Sequence, residues 1–233
     1  MKLTILGNNG PYPSPAGACS GYLLQTDSAK VMIDCGTGVL ARLPVECAAL
    51  DAVVLSHLHF DHMSDLLPMI YALQFHPRTA PLPVFAPDAP AAVRAVLDAP
   101  CYALREPERC TIGDLTLSFL PVRHPVKTFA MRAEADGRAF VYTGDTNECD
   151  GLSDFAFGAD LLLADAGLSE ADWHENAPHL SALRCGRLAE SANVRNLLLT
   201  HLNPKYSPAA LTEEAKTAFP RVSFAECGHT YEI

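Results

Sequence analysis

The 233-residue sequence contains eight cysteines but no C-x-x-C pair. Scattered cysteines of this kind do not form the disulfide framework of a small secreted domain. They are typical of free thiols in a reducing compartment. We therefore expect a cytoplasmic protein whose cysteines contribute to packing, and we assign none of them as a metal ligand.

Basic residues are few and scattered. The sequence has five lysines and twelve arginines against 27 acidic residues, which gives a formal net charge of −10. Proteins that bind a long polyanion usually carry a basic stripe. No long nucleic acid is therefore expected as a partner, and a small molecule is the predicted substrate.

Long apolar runs and flexible linkers are also missing. No apolar segment approaches the ~20 residues needed to cross a bilayer, so no membrane association is expected. The first seven residues are too short for a signal peptide and indicate an initial strand. With 49 % apolar and 19 % charged residues and no linker, residues 1–233 are predicted to form a single globular domain.

Short apolar strands alternate with helical patterns along the chain. The predicted strands are residues 3–6, 21–25, 30–33, 52–55, 83–85, 115–120, 129–133, 139–142, 160–164 and 196–200. The predicted helices are residues 38–43, 64–75, 89–97, 181–192 and 208–219. Ser64 and Ser207 are the expected N-caps of their helices, and Pro208 suits a first helical position.

The most informative segment is His57-Leu58-His59-Phe60-Asp61-His62, which holds four metal-competent side chains in six residues. It follows the predicted buried strand at 52–55. Two histidines at i and i+2 on an extended chain point to the same side and can bind one ion. Asp61 and His62 follow where the chain turns toward a helix, and they can reach a second ion. The alternative, a group of solvated loop histidines, is disfavoured by the buried strand that precedes the motif.

Three further residues complete a set of seven candidate ligands. His124 ends a strand-like segment, and Asp145 lies in Tyr142-Thr143-Gly144-Asp145-Thr146 after another strand. A carboxylate in that position can bridge two ions, although an ordinary turn aspartate is the alternative. The set assigns one ion to His57, His59 and His124 and the other to Asp61, His62 and His201, with Asp145 between them.

The residues around His57 and His201 have the same layout. Val53-Val54-Leu55-Ser56-His57-Leu58 and Leu197-Leu198-Leu199-Thr200-His201-Leu202 each contain three apolar residues, a hydroxyl residue, a histidine and a leucine. Two interpretations are open. The segments are either two unrelated buried strands, or parts of two similar halves that each present a histidine from the carboxyl end of a strand.

These motifs, with Leu-Thr-His-Leu-Asn-Pro around His201, together resemble the metallo-β-lactamase superfamily. The particular branch is the ribonuclease Z-like and small-substrate phosphodiesterase-like one. The resemblance runs from residue 3 to at least residue 205. It implies an αββα sandwich, in which two mixed β-sheets are flanked by helices and a dinuclear site lies at one edge. It also implies zinc as the usual metal, with manganese or iron as alternatives, and a homodimer as one assembly.

The resemblance also assigns catalytic residues. His179, in Pro178-His179-Leu180-Ser181-Ala182, resembles a histidine that contributes to catalysis in ribonuclease Z-like members without binding metal. Asp165 resembles the position of an acidic residue that pairs with that histidine. Relatives usually carry glutamate there, so this pairing is left open. Asp61 is counted with the catalytic group as well as with the ligands.

Three histidines remain outside this set. His76, His174 and His229 are expected to be structural or surface residues, with His174 the best candidate among them for lining a substrate pocket.

Charge at the site indicates the kind of substrate. Two divalent ions bring four positive charges, and with Asp61, Asp145 and a bridging hydroxide the residual charge is about +1. Such a site attracts a monoanion, which is the charge of a phosphodiester. We therefore predict a metal-dependent phosphoric diester hydrolase in which the bridging hydroxide attacks phosphorus. Protonated His179 would stabilise the developing charge or protonate the leaving oxygen.

The interval between His124 and Asp145 narrows the substrate further. Ribonuclease Z inserts a long arm for transfer RNA in this interval, whereas only 20 residues lie here, enough for a hairpin with a turn at Asp136-Gly137. A small or cyclic phosphate ester is therefore predicted, and transfer RNA 3′ endonuclease activity is disfavoured. Hydrolysis of carboxylic esters, thioesters or lactones at the same metal pair stays open. A non-enzymatic metal-binding or redox protein is disfavoured because all seven candidate ligands are present.

Overall fold

The computed structural model describes residues 1–233 and contains two seven-stranded β-sheets. The strands are β1 (Lys2–Gly7), β2 (Gly21–Gln25), β3 (Lys30–Cys35), β4 (Ala52–Val54), β5 (Leu82–Phe85), β6 (Tyr102–Arg105), β7 (Cys110–Ile112), β8 (Leu115–Val122), β9 (Thr128–Ala135), β10 (Arg138–Tyr142), β11 (Leu161–Asp165), β12 (Asn196–Thr200), β13 (Val222–Phe224) and β14 (Thr230–Glu232). The α-helices are α1 (Phe60–Met63), α2 (Leu66–Phe75), α3 (Ala91–Arg94), α4 (Leu152–Ala156), α5 (Ala182–Ser191) and α6 (Pro208–Lys216).

Each sheet combines a parallel part with an antiparallel part. The order in the first sheet is β14-β1-β2-β3-β4-β5-β6, and β3 to β6 are parallel. The order in the second is β13-β12-β11-β10-β9-β8-β7, and β10 to β13 are parallel. The last strand, β14, follows the second sheet in the sequence but pairs with β1 at the edge of the first sheet.

Apolar side chains alternate between the two faces of each strand, because successive residues of a strand point to opposite sides. Ile5 of β1 and Leu163 of β11 belong to a cluster of 21 buried residues between the two sheets. Met32 of β3 faces the other way, into a cluster of 20 buried residues under α1 and α2. Leu162 of β11 similarly faces α5 and α6 in a third cluster of 20. These four layers form the predicted αββα sandwich.

The two halves of the chain have similar topology. Each half builds antiparallel strands first and then adds parallel strands on one side. His57 follows β4, which lies next to the last antiparallel strand of its sheet. His201 follows β12, which is separated from the corresponding strand by β11. The two halves are similar, but the two histidines follow strands that are not equivalent, so the repeated layout does not reflect the similarity of the halves.

Backbone hydrogen bonds join the loops of the two sheets at one edge. The Phe129 amide donates to the Ser56 carbonyl (3.0 Å), and the Leu202 amide donates to the Asn8 carbonyl (2.7 Å). Each bond links a segment of one sheet to a segment of the other. The candidate site lies at this edge, so its two sides are held together by the backbone.

All ten predicted strands are present, but four short strands were not predicted. Each of these four, β6, β7, β13 and β14, has only three or four residues. A segment of that length shows too little alternation of apolar and polar residues to indicate a strand. The helix α4 was also missed, for the same reason of length.

Two helix predictions were wrong in detail. Residues 38–43 form only a 3-10 turn at Leu40–Arg42, and Leu43 is extended (φ −65°, ψ 119°). Leu43 precedes Pro44, and a residue before proline is disfavoured in helical conformation. Ser64 is not an N-cap, because its amide donates to the Phe60 carbonyl and closes α1. Ser207 does precede α6 with Pro208 in its first turn, although the serine side chain caps no amide.

None of the helices combines the length and the apolar character that crossing a membrane would require. All eight cysteines are free thiols.

The core between the sheets should dominate the stability of this fold. Phe140 is fully buried there, whereas Phe157 is 60 % exposed. We expect Phe140→Ala to lower the free energy of unfolding by about 3–5 kcal/mol, because it removes buried apolar surface and leaves a cavity. The matched Phe157→Ala should cost less than about 1 kcal/mol. Urea unfolding measures both, and equal losses for the two variants would contradict this assignment of the core.

Candidate metal centre

The predicted ligands follow the carboxyl ends of strands. His57 follows β4, His124 follows β8, Asp145 follows β10 and His201 follows β12. Since β8 and β10 are both antiparallel to β9, their carboxyl ends lie at the same edge of the second sheet. The parallel strand β12 ends at this edge as well. The topology therefore brings together residues that are far apart in the sequence.

Three imidazoles converge in a first group, which we call the histidine trio: His57, His59 and His124. Their nearest ring nitrogens all lie within 4.8 Å of one another. His59 Nδ1 is 3.0 Å from His57 Nε2 and 3.2 Å from His124 Nε2. Three imidazole nitrogens are a donor set that zinc accepts.

Hydrogen bonds on the outer side of the trio orient two of its rings. His124 Nδ1 donates to the Pro178 carbonyl (3.0 Å). A carbonyl can only accept, so the proton is on Nδ1 and the lone pair of Nε2 points inward. His57 Nδ1 lies 3.0 Å from Ser56 Oγ, which itself donates to Asp34 (2.8 Å). His57 therefore also presents the lone pair of Nε2 to the trio.

A second group, which we call the mixed cluster, contains Asp61, His62, Asp145 and His201, again with ligand atoms within 4.8 Å of one another. His62 Nε2 lies 3.5 Å from Asp61 Oδ2 and 3.3 Å from Asp145 Oδ2. The same Asp145 oxygen is 3.7 Å from His57 Nε2 of the trio. Asp145 therefore faces both groups, as a bridging carboxylate must.

The mixed cluster contains buried polar atoms that no protein group satisfies. His62 Nε2, Asp145 Oδ1 and His201 Nε2 are buried and make no hydrogen bond. Buried polar atoms without partners are rare in native proteins, because each costs about 1–3 kcal/mol. A cation coordinated by these atoms would remove that cost. The residues present therefore fit one divalent ion in the trio and one in the mixed cluster, and imidazole with carboxylate suits zinc, manganese or iron.

Burial keeps most of these histidines neutral, which a ligand requires. Desolvation lowers the pKa of His57 and His201 well below 6.5 and that of His124 to about 4. Desolvation also lowers the pKa of His59. Neutral imidazoles with lone pairs directed inward are donors prepared for a metal.

Two groups of the mixed cluster carry charge in the metal-free protein. Burial disfavours protonated His62, but Asp145 and Asp34 outweigh burial and raise its pKa well above 6.5. Burial likewise disfavours ionised Asp145, yet the surrounding histidines, first His201 and then His62, hold its pKa well below 3.8. A proton on His62 thus balances the carboxylates, and a divalent cation would do so more completely.

The structure brings Asp165 and His179 together, the pairing that the sequence left open. His179 Nδ1 donates to Asp165 Oδ2 (2.9 Å), and the amides of Thr146 and Gly167 donate to the same carboxylate (2.9 and 3.0 Å). Asp165 is fully buried. Burial raises the pKa of Asp165 and His179 lowers it. Burial has the larger effect, so the pKa is raised from 3.8 to about 6. Burial lowers the pKa of His179, but Asp165 outweighs it and raises the value to about 9.

His179 lies at the edge of the metal-ligand candidates. Its ring stacks on His201 with centroids 4.9 Å apart, and its Nδ1 is 3.9 Å from Asp145 Oδ2. The His179 side chain is 16 % exposed. A substrate held at the two groups could therefore reach this imidazole from solvent.

Asp34, a fully buried carboxylate near the end of β3, was not among the predicted site residues. It accepts hydrogen bonds from Ser56 N (2.7 Å), His62 Nδ1 (2.8 Å) and Tyr142 Oη (2.9 Å). The bond from His62 fixes the ring so that Nε2 faces the cluster. An acid that ends an apolar strand and precedes glycine, as in Ile33-Asp34-Cys35-Gly36, is the pattern that could have identified it.

Local backbone conformation also serves the mixed cluster. Asp34 and His201 have positive backbone φ angles (both 53°), which residues other than glycine rarely adopt. Gly10 lies against the His201 ring so closely that a Cβ at Gly10 would stand 2.0 Å from a ring carbon. Ser20 Oγ lies 3.2 Å from His201 Nδ1 on the same side. His201 is therefore fixed by contacts from the first sheet.

The other three histidines lie outside both groups. His76, His174 and His229 are exposed. His174 belongs to the loop between β11 and α5. Its carbonyl, and not its ring, accepts a hydrogen bond from Asn147 Nδ2 (3.3 Å).

The fold and site define a member of the metallo-β-lactamase superfamily. Residues 29–202 match the model of the Beta-lactamase superfamily domain, and the chain belongs to this family. It is 35 % identical to the Probable metallo-hydrolase YhfI of Bacillus subtilis (strain 168), with 100 % of both chains covered. The crystal structure of YhfI superposes with a TM-score of 0.93 over 100 % of this chain and 99 % of that one.

A second relative supports the branch. The chain is 31 % identical to Ribonuclease Z of Mycobacterium bovis (strain BCG / Pasteur 1173P2), with 89 % of this chain and 88 % of that protein covered. The chain is thus close to YhfI and related to ribonuclease Z, and the predicted ribonuclease Z-like branch is confirmed.

Asp34 should control metal affinity although it is not a ligand. We expect Asp34→Asn to weaken zinc binding by about 10–100-fold, because His62 loses its anionic partner. Competition with a chelating dye measures the affinity. Asp51→Asn is the control, since Asp51 is exposed and accepts only from the Lys30 amide. Zinc binding equal to that of the unmodified protein would show that Asp34 does not orient His62.

Asp165 should hold the proton on His179. In metal-free protein, Asp165→Asn removes the negative charge that favours imidazolium while burial of the ring remains. The pKa of His179 should therefore fall from about 9. Titration of the imidazole resonance by NMR measures this change, and an unaltered pKa would contradict the ion pair.

Proposed function

We propose that this chain is a metal-dependent hydrolase that acts on small or cyclic phosphate diesters. The observation that carries the proposal is the ion pair of Asp165 and His179 (2.9 Å) beside the candidate bridging carboxylate Asp145. A hydrolase of this kind needs a proton donor near the leaving oxygen as well as a cation site. The edge of the sandwich offers both.

Each residue has a separable part in this proposal. His179 donates Nδ1–H to Asp165, which leaves Nε2–H for the substrate. Asp165 is held by two backbone amides, so it keeps the ring in one orientation. Divalent ions, when bound, would lower the pKa of a water molecule and offset negative charge on the phosphate. Water adds to phosphorus and gives its proton to solvent, while the bond from phosphorus to the leaving oxygen breaks and His179 Nε2 gives its proton to that oxygen. The neutral imidazole then regains a proton from solvent.

The short segment between His124 and Asp145 favours a small substrate. Strands β9 and β10 fill it and are joined by the two-residue turn Asp136-Gly137, with φ of 50° and 71°. This tight turn leaves no inserted arm that could hold a long polynucleotide. The net charge of −10 also disfavours such a partner. Both features favour a small anionic substrate.

Two other candidate activities are open. Ribonuclease Z of M. bovis suggests an endonuclease, which the short hairpin disfavours. The same cation site could also hydrolyse carboxylic esters, thioesters or lactones. An uncharged acyl substrate is attracted less than a diester monoanion by protonated His179 and by a cation site, so diesters are favoured. Substrate comparison separates the three.

The test is a substrate panel with zinc- or manganese-loaded protein. Bis-p-nitrophenyl phosphate, cyclic nucleotides, p-nitrophenyl acetate and an acyl thioester are offered at equal concentrations. We expect turnover of at least one diester and little of the acyl esters. Rapid ester turnover without diester turnover would contradict the proposal.

His179→Ala tests the assigned donor. We expect diester turnover to fall by about 10²–10⁴-fold, the usual contribution of a general acid. Metal content measured by inductively coupled plasma mass spectrometry should stay the same, because His179 Nδ1 is occupied by its hydrogen bond to Asp165 and His179 belongs to neither the trio nor the mixed cluster. His76→Ala, which changes an exposed histidine, is the matched control. Turnover equal to that of the control would remove His179 from the mechanism.

A further inference from the structure

The side chain of Asn147 is fully buried and joins two loops at the site. Its Nδ2 lies within hydrogen-bonding distance of three backbone carbonyls: those of His174 (3.3 Å), Glu175 (3.1 Å) and Ala177 (2.7 Å). Its Oδ1 accepts from the indole Nε1 of Trp173 (3.0 Å). One amide thus contacts four residues of a single segment, residues 173–177, which we call the Trp173 loop.

The other side of Asn147 is tied to the candidate site. Its backbone amide donates to the Arg123 carbonyl (3.0 Å), next to His124. The preceding residue, Thr146, donates its amide to Asp165 Oδ2 (2.9 Å) and follows Asp145 directly. The turn that carries the candidate bridging carboxylate therefore also holds the Trp173 loop.

The Trp173 loop leads directly to two functional groups. Pro178 follows this loop directly, and its carbonyl accepts from His124 Nδ1 (3.0 Å); the next residue is His179. The position of this loop thus determines which nitrogen of His124 carries the proton and where the His179 ring stands. The Trp173 loop contains no helix or strand and follows a 3-10 turn at Glu170–Asp172.

The outer face of Trp173 is closed by a separate contact. The Arg184 guanidinium lies over the indole ring, 3.1 Å from its centroid, and donates to Glu148 (2.6 Å) and Glu170 (3.2 Å). The indole is therefore held between Arg184 and Asn147. This contact supports Trp173, but Arg184 makes no hydrogen bond to the carbonyls of His174, Glu175 and Ala177.

We propose that Asn147 is a positioning residue: by holding the Trp173 loop against the turn of Asp145, it sets His124 and His179 in the geometry that the reaction needs. An amide is required because the contacts need donors and an acceptor on one short side chain. Aspartate has the same shape but offers only acceptors when ionised, so it would face the carbonyls with like charge. The catalytic part of this proposal rests on the proposed function, whereas the structural part does not.

The first measurement uses the unmodified protein. Side-chain amide protons of Asn147 should exchange with solvent at least about tenfold more slowly than those of Asn196, because local opening must precede exchange. Asn196 donates a single bond to the Asp160 carbonyl and is exposed. Equal exchange rates would overturn the proposal even if no variant of Asn147 folds.

The second measurement uses variants and the only tryptophan of the chain. In Asn147→Asp and Asn147→Ala we expect Trp173 emission to shift to longer wavelength and its quenching by acrylamide to rise. The imidazole resonance of His179 should also move. Asn196→Asp, the matched control, should leave all three unchanged. Unchanged spectra in a folded Asn147 variant would overturn the proposal.

The third measurement separates positioning from structural support. In metal-loaded Asn147→Asp, kcat for bis-p-nitrophenyl phosphate should fall about 10–100-fold with KM within about twofold, since a misplaced group costs rate more than binding. Asn196→Asp, the matched control at an exposed asparagine, should keep kcat within about twofold of the original. Altered spectra with unchanged kcat would overturn the catalytic part. If the unmodified protein hydrolyses no diester, the proposed function fails, and the spectra still decide the structural part.

Discussion

The buried charge of Asp145 is the constraint on which the rest of the site depends. An ionised carboxylate that is only 1 % exposed needs compensation by opposite charge or by hydrogen-bond donors. Its Oδ2 faces His62 and His57 at 3.3 and 3.7 Å, and these imidazoles belong to different groups. Only one of the two is protonated, because burial keeps His57 neutral. The arrangement therefore calls for cations, and Asp145 stands where it can serve two of them.

The sandwich brings together site residues that are far apart in the sequence, which a local motif cannot do. Parallel strands end at the same edge, so residues separated by more than a hundred positions meet there without long loops. Tyr142 of the second sheet donates to Asp34 of the first, and Asp34 holds His62. Asn147 and Asp165 do the same for the loop that carries His179. The ligand atoms are thus positioned by buried hydrogen bonds, of which the one from Tyr142 to Asp34 crosses between the sheets, and such rigidity favours metal binding.

The ligand candidates and the longer strands could be predicted from the sequence because both leave local marks, whereas the αββα sandwich was implied by the family resemblance. His57 and His59 are two residues apart on one segment, and apolar alternation marks each long strand. Asp34 and Asn147 leave no such mark, since their partners come from other parts of the chain and single polar residues in loops are common. The pairing of Asp165 with His179 depends on the path of the intervening loop. Strands of three residues, such as β13, form because a neighbouring strand, here β12, supplies backbone hydrogen-bond partners.

The central claim is that the histidine trio and the mixed cluster each hold one divalent ion and share Asp145. Anomalous diffraction at the zinc absorption edge, from crystals of zinc-loaded protein, tests it most directly. The account predicts two peaks, each about 2 Å from the imidazole nitrogens of its own group, with an Asp145 oxygen bound to both ions. A single peak, or two peaks of which only one is bound by Asp145, would contradict it.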